Sequence, residues 1–475
     1  MNSPLLFQRS VTYLIYGIVT TIPLLFGAVH PIVQGCYVYI ILTGLGSWLL
    51  LNHRPGSLPL PSIWAVVPAL LIAYLSLQSI PLPLDWVEML SPQRAARVRA
   101  VNELAGTGLQ NVSLNENGPA GFYRSFFLFS MMLYYYSLKR LIGDNKNFQK
   151  TLLYCLVGVG TFEALYGLVQ FINPQIGILW LPTPGRAAHG TIIYKNQYAS
   201  MLNLIWPMAL ASGVLAYAVR RKTGREQSLG RRLMAAVDDL STANTLTPLM
   251  MFAAGMMILA VLFSLSRGGI LAMGLVGFLL LVMLPFRRSG KIAGLSVFLC
   301  LLGAYVALLG FDTIASRFDT LDSSGANRLS LYLASLPMLW DHWLTGIGMG
   351  SYALLSPVYL KGFPASTLFD RVHNEYLELI IELGVPAAVL LFTWIFAGMT
   401  KLLAGFVWGK REIDLERQVI GAAAFCGLVG FLVHGFADFG WRLPANLVYC
   451  ATLLAMCVCS MQSPFANEPI ERSGR

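Results

Sequence analysis

The sequence predicts an all-α polytopic membrane protein: about a dozen transmembrane helices and a large outer loop bearing interfacial helices. Two observations carry this reading. Of the 475 residues, 56% are hydrophobic and only 12% charged, whereas a soluble domain carries about 25% charged residues. The apolar runs are continuous and near 20 residues long, the length that crosses a bilayer as a helix. That continuity excludes a β-barrel, whose strands alternate in polarity over about ten residues.

Taken in order, the predicted spans are Val11–Ala28, Val33–Leu51, Ile63–Ser79, Phe122–Leu138, Leu152–Ile172 and Tyr198–Val219. Six more follow: Leu246–Leu265, Gly268–Pro285, Ile292–Phe311, His373–Met399, Val419–Phe436 and Ala445–Met461. An even number of spans puts both termini on one side. With that side cytoplasmic, 21 of the 33 Lys and Arg residues fall inside and 12 outside. The inner ones crowd short loops, as at Lys139–Arg140, Arg231–Arg232, Arg287–Arg288 and Lys410–Arg411, which is the positive-inside pattern. The net charge of +10 is therefore a topology signal together with attraction to anionic lipid. It gives no argument for nucleic acid.

The seven cysteines lie within or beside apolar spans, so no disulfide framework is implied, and Cys457 and Cys459 lack metal-site spacing. The first span has no small-residue cleavage site after it and reads as retained. No repeat divides the chain, and residues 1–475 read as one membrane domain. The basic inner loop Arg220–Asn244 reads as a solvated linker. The outer side carries Pro81–Ala120, Asn173–Gln197 and the long Asp312–Val372. Within the first of these, Leu84–Leu104 reads as an interfacial helix with Trp86, Leu90, Ala95 and Val98 on its apolar face. The longest loop holds a helix over Arg328–Trp343, interrupted by Pro337. The run Gly346-Ile-Gly-Met-Gly350 follows, whose alternate glycines permit a tight turn. Its spacing is not that of a dinucleotide fingerprint.

Polar residues converge on the outer face. His373 opens the tenth predicted span, after Asp370 as an N-cap, and Glu375, Glu378 and Glu382 then form one acidic stripe down about two turns. Such a stripe must face protein or water, because exposing it to lipid is costly. A histidine with an ordinary pKa near 6.5 suits proton removal from a hydroxyl, although an interfacial cap would use the same residue. Arg267, in Ser264-Leu-Ser-Arg-Gly-Gly269, sits where the next helix begins and backbone N–H groups suit an anion. With Arg186 and Arg328 it makes three separated outer arginines able to clamp a diphosphate, or simply to meet headgroups. Glu163 lies mid-span, as a functional group or a hydrogen-bonded structural acid. His434, Asp438 and Arg442 surround the outer turn of the last hairpin. Asp312, Asp319 and Asp322 are a weak suggestion of a cation site, and no metal is assigned. Asn111-Val-Ser113 matches a glycosylation sequon at chance level.

In order along the chain, Arg186, Gly190-Thr-Ile-Ile-Tyr-Lys-Asn196, Ser266-Arg-Gly-Gly269, Arg328, Gly346-Ile-Gly-Met-Gly350 and His373-Asn-Glu-Tyr-Leu-Glu378 through Glu382-Leu-Gly384 resemble the O-antigen ligase and polymerase superfamily of bacterial envelope glycan assembly. The resemblance covers about Gly185–Val389, including the outer loop 312–372. It implies a metal-independent, inverting glycosyltransferase of the bacterial inner membrane, needing no cofactor and working on the periplasmic side. A polyprenyl-diphosphate-linked glycan would be the donor, and lipid A core or a second lipid-linked glycan the acceptor. His373, Arg267 and Arg186 would be catalytic: the arginines holding the diphosphate leaving group, the histidine orienting or deprotonating the acceptor hydroxyl. Arg328, Asn196, His189, Asn374, Glu375, Tyr376 and Glu378 would bind substrate. Lys195 departs from the small or proline-like residue expected before Asn196.

Transfer to lipid A core makes a ligase, to a lipid-linked repeat a polysaccharide polymerase, and to a protein hydroxyl an oligosaccharyltransferase. These motifs do not separate the three. A twelve-helix transporter is the competing class. Transporters place functional polar residues near the midplane and often duplicate a half, whereas here the polar set lies at the outer interface and no duplication is visible.

Overall fold

A computed structural model of the chain describes residues 3–52, 63–179, 181–182, 186–223, 246–284, 321–363, 368–408 and 414–461. It is a helical membrane protein whose strand content there is one short two-stranded antiparallel sheet, Leu82–Pro83 with Asn111–Val112. The helices are α1 (Ser3–Leu24), α2 (Pro31–Leu51, with a π-turn over Ile41–Leu45) and α3 (Ile63–Ser79). Next come α4 (Leu84–Leu90), α5 (Pro92–Ala105), α6 (Gly118–Asp144), α7 (Lys146–Ile172) and α8 (Lys195–Thr223). α9 (Leu246–Phe263), α10 (Arg267–Met283), α11 (Leu321–Asp341) and α12 (Tyr352–Tyr359) follow. The last four are α13 (Glu375–Leu383), α14 (Val385–Trp408), α15 (Leu415–His434) and α16 (Pro444–Ser460).

Among the described residues, α2, α7, α8, α9, α14 and α15 contain stretches long and apolar enough to cross a membrane, and α3, α10 and α16 are shorter apolar helices. Ten of the predicted spans each overlap one helix, counting α1 and α6, and the tenth in order overlaps two. The ninth, Ile292–Phe311, lies outside the described residues, as do Asp312, Asp319 and the side chain of Asp322.

Burial sorts the helices. The apolar window of α8 is 78% buried, whereas that of α14 is 11% buried, so α8 is the hub and α14 the rim. α8 packs on α9, α10, α15 and α16. Because lipid is as apolar as leucine, close approach and polar contacts hold such helices together. Gly427 of α15 lies against the Leu204 backbone, and Gly430 against Val276 of α10. The buried Trp206 donates to Asn203 Oδ1 (3.0 Å), and Asn203 donates onward to the Gly269 carbonyl (2.9 Å), joining α8 to α10. Tyr134 meets Thr452 (3.0 Å), and Tyr449 donates to the Val19 carbonyl (3.0 Å), tying α16 to α6 and α1.

The outer layer departs from the sequence reading in three places. Leu84–Leu104 is two helices broken at Ser91. Their buried side chains are Val87, Ala95 and Val98, while Trp86 is exposed; an α4 of two turns has Val87, not Trp86, on its inner face. The predicted tenth span is also two helices, because Gly384 (φ 78°) breaks it. Asp370 is not its cap: the Asn374 side chain accepts from Leu377 N–H (3.1 Å) and caps α13. The expected helix in the largest loop is present as α11, with Pro337 inside it.

The glycine-rich turn closes this layer. Gly346, Gly348 and Gly350 all have φ between 70° and 90°. A Cβ on Gly348 would lie 2.1 Å from Asn115, so only glycine fits. Ile347 and Gly348 N–H donate to the Ile381 and Glu382 carbonyls (both 3.0 Å), satisfying orphan acceptors at the end of α13. Asn115 Oδ1 accepts from Ser351 Oγ (2.6 Å), so the segment between α5 and α6 interlocks with the turn that precedes α12.

Candidate active site

The turn between α15 and α16 is where separate parts of the chain meet. Asp438, in this turn, is 2% exposed. Its Oδ1 accepts from Phe439 N–H (2.8 Å) and faces His373 Nδ1 at 3.5 Å. Its Oδ2 accepts from the Asn196 side-chain amide at the start of α8. Burial acts to raise the Asp438 pKa. The facing His373 ring and the hydrogen bond from the Phe439 N–H outweigh it and hold the carboxyl below its ordinary value.

His373 is fixed from several sides. Its φ is 62°, a left-handed conformation that a histidine adopts at a cost of about 1–3 kcal/mol when its surroundings impose it. Tyr332 Oη donates to its carbonyl (3.0 Å), and its ring meets the Phe439 ring edge-on at 5.0 Å. Nδ1 faces the Asp438 carboxylate at 3.5 Å without a hydrogen bond among the described residues, leaving Nε2 as the ring nitrogen that does not face that anion.

Cations surround the same turn. Arg328 donates from Nη1 to the Ala437 carbonyl (2.8 Å). Arg267 is exposed at the first position of α10, where Ser266 accepts from Gly269 N–H (3.2 Å) as N-cap. The adjoining Gly268 packs so closely on the turn that a Cβ there would lie 2.9 Å from both Ala437 and His434. Arg267 and the α10 N-terminus therefore border the residues beside Asp438. His434, 4% exposed, has neither ring nitrogen hydrogen-bonded among the described residues.

The other predicted residues divide. Arg186 is exposed and held on the end of α7, with Nε donating to the Phe171 carbonyl (2.8 Å) and its guanidinium 5.1 Å from that ring. His189 pairs within its own turn, Nδ1 to the Ile193 carbonyl at 3.1 Å. Burial pushes its pKa down, against the Ile193 hydrogen bond. Asn374 is spent on capping α13. Tyr376 donates to the Leu432 carbonyl (2.9 Å) and stacks on Phe436 at 4.0 Å, pinning α13 to α15.

The acidic stripe faces protein. Glu375, Glu378 and Glu382, at most 1% exposed, surround one guanidinium, Arg442, at 3.2, 3.1 and 2.8 Å. Glu375 also accepts from Trp441 N–H (2.8 Å) and Glu382 from Gly350 N–H (2.8 Å). Glu378 further accepts from Arg371 and from Val372 N–H. With their lone pairs used this way, Glu375 and Glu378 build the platform beneath His373 instead of presenting oxygens to a substrate. Asp438 is the residue that the sequence reading placed nearby without ranking. Its signal is a carboxylate in a short turn between two apolar spans, as costly there as the glutamates.

Residues 252–392 match the family model described as O-antigen ligase. The match takes in Arg267, Arg328 and His373, and ends before Asp438. No curated protein matches the chain.

Proposed function

We propose that the chain, whose residues 252–392 match the family model described as O-antigen ligase, is an inverting glycosyltransferase moving a glycan from a polyprenyl-diphosphate carrier to an acceptor hydroxyl, most closely as an O-antigen ligase acting on lipid A core. The observation that carries the reading is the joining of His373, Asp438 and Asn196 at one turn bordered by Arg328 and Arg267. His373 Nε2 takes the acceptor hydroxyl proton as the oxygen attacks the anomeric carbon, and Asp438 stabilises the imidazolium. Arg267, aided by the N–H groups of the α10 terminus, receives the charge that builds on the departing diphosphate. Arginines supply the positive charge a metal otherwise would, so transfer should survive chelators. Arg186 lies on the neighbouring loop and fits the distal part of the carrier.

The positive-inside pattern supports an inner-membrane location, with both termini cytoplasmic and the site facing the periplasm. The test is a reconstituted reaction of purified protein, diphospholipid-linked glycan and lipid A core, run beside His373→Ala. Glycan on lipid A core, lost in the variant, establishes a ligase. Longer lipid-linked chains with the same dependence establish a polymerase, and absence of both products overturns the proposal.

A further inference from the structure

Glu163 is a buried carboxyl midway along α7 that the proposed chemistry leaves unused. Both its oxygens meet one residue. Oε2 accepts from Thr191 N–H (2.7 Å), and Oε1 lies 2.5 Å from Thr191 Oγ1. That hydroxyl is also 2.8 Å from the Pro23 carbonyl of α1. A threonine hydroxyl has one hydrogen, and a carbonyl oxygen can only accept. If the hydroxyl hydrogen goes to Pro23, the short contact with Oε1 needs a hydrogen from the carboxyl. If it goes to a carboxylate, the Pro23 contact becomes two unshared oxygens pressed together in a buried site, which is costly.

From this count we infer that Glu163 is a neutral acid, donating from Oε1 to Thr191 Oγ1, and that it is a positioning residue for the site, acting through the turn 189–194. The turn has no room to do otherwise. Gly190 has φ 59°, and a Cβ on it would lie 2.1 Å from Glu163 Oε2. Gln170 Nε2 donates to the Gly190 carbonyl (2.8 Å), and Tyr198 Oη to the Glu163 carbonyl (2.9 Å). Four residues after Thr191, α8 begins at Lys195, and its second residue, Asn196, donates to Asp438 opposite His373. The chain α1–Thr191–Glu163 thus sets the height at which Asn196 meets Asp438. The carboxyl is a clamp, with no charge to relay.

The activity arm of the test rests on the glycosyl-transfer reading; the spectroscopic arm does not. Infrared difference spectra of the purified full chain, wild type minus Glu163→Gln, should contain a protonated-carboxyl C=O band at neutral pH. A carboxylate pair of bands in its place overturns the inference. Glu163→Gln keeps one donor and one acceptor at the same reach and should transfer glycan within about threefold of wild type. Glu163→Ala and Thr191→Val release the turn and should lose roughly a hundredfold, the scale of an ångström of misplacement. A folded Glu163→Gln as inactive as Glu163→Ala overturns the clamp. So does full activity in a folded Thr191→Val.

Discussion

At the scale of single residues, the site turns on what holds a histidine in an unfavourable backbone conformation. His373 is restrained through its carbonyl, its ring face and its Nδ1, and the last of these depends on Asp438. Asp438→Asn keeps the shape but can present an amide N–H to Nδ1, favouring the wrong tautomer. We expect transfer to fall at least a hundredfold, within the range general acid–base groups supply, with unchanged thermal stability. Kinetics and a melting curve on the same preparation check both halves; a variant that keeps its rate would leave Asp438 a packing residue. Gly268 offers a second reading of the same turn. Gly268→Val should push His434 and Ala437 away from the α10 terminus and weaken donor binding, read as a raised KM.

At the scale of elements, two polar clusters fasten outer pieces to the bundle. Around Arg442 three buried carboxylates share one cation with help from Arg371. Removing one partner of a buried ion network strands the others, at about 3–5 kcal/mol. Arg442→Ala should therefore lower the unfolding temperature and loosen residues 375–383 in hydrogen exchange, whereas Arg371→Ala, at a partly exposed side chain, should cost much less. The second cluster joins α5 to the end of α11. His342 Nε2 accepts from Arg97 (3.1 Å) and its Nδ1–H reaches Ser91 Oγ (3.1 Å), which requires the neutral ring. Burial, then the Arg97 charge, pushes its pKa down to about 4. An unfolded histidine binds its proton near pH 6.5. Between those values the unfolded segment holds more protons, so this contribution is complete above about pH 6.5 and is lost as the pH falls toward about 4. Hydrogen exchange of residues 84–116 should accelerate across that window, and His342→Gln should flatten the dependence.

At the scale of the whole molecule, the proposed topology places α5 outside. A cysteine at the exposed Leu104 should react with a membrane-impermeant thiol reagent in spheroplasts, while one at Arg417 should react only after lysis. Equal reaction of the two would overturn the orientation. Much of this architecture is legible in the chain because hydropathy reports burial in lipid directly: Ile63–Ser79 is found as read. The division of the tenth span was less visible, since both halves are apolar. Its signal is Gly384 two residues before Pro386, a helix end followed by a helix start. The stripe of glutamates follows from helical spacing, but their partner does not, because Arg442 lies 60 residues after Glu382 and only the folded hairpin brings it back. The pairing of Asp438 with Asn196 and His373 is hidden for the same reason. Spacing along one helix can be read; pairing between distant turns depends on packing.

The break at Gly384 has a mechanical consequence. α14, which follows it, is mostly lipid-facing, whereas α13 is fastened to α15, to Trp441 and to the glycine-rich turn. A helix in a bilayer of unmatched thickness tilts or shifts to keep its apolar length covered. If His373 opened one unbroken span, each such adjustment would drag the proposed proton acceptor with it. A joint at Gly384 lets α14 follow the lipid while the platform under His373 keeps step with the bundle. The proposed catalytic geometry would thereby be insulated from membrane thickness.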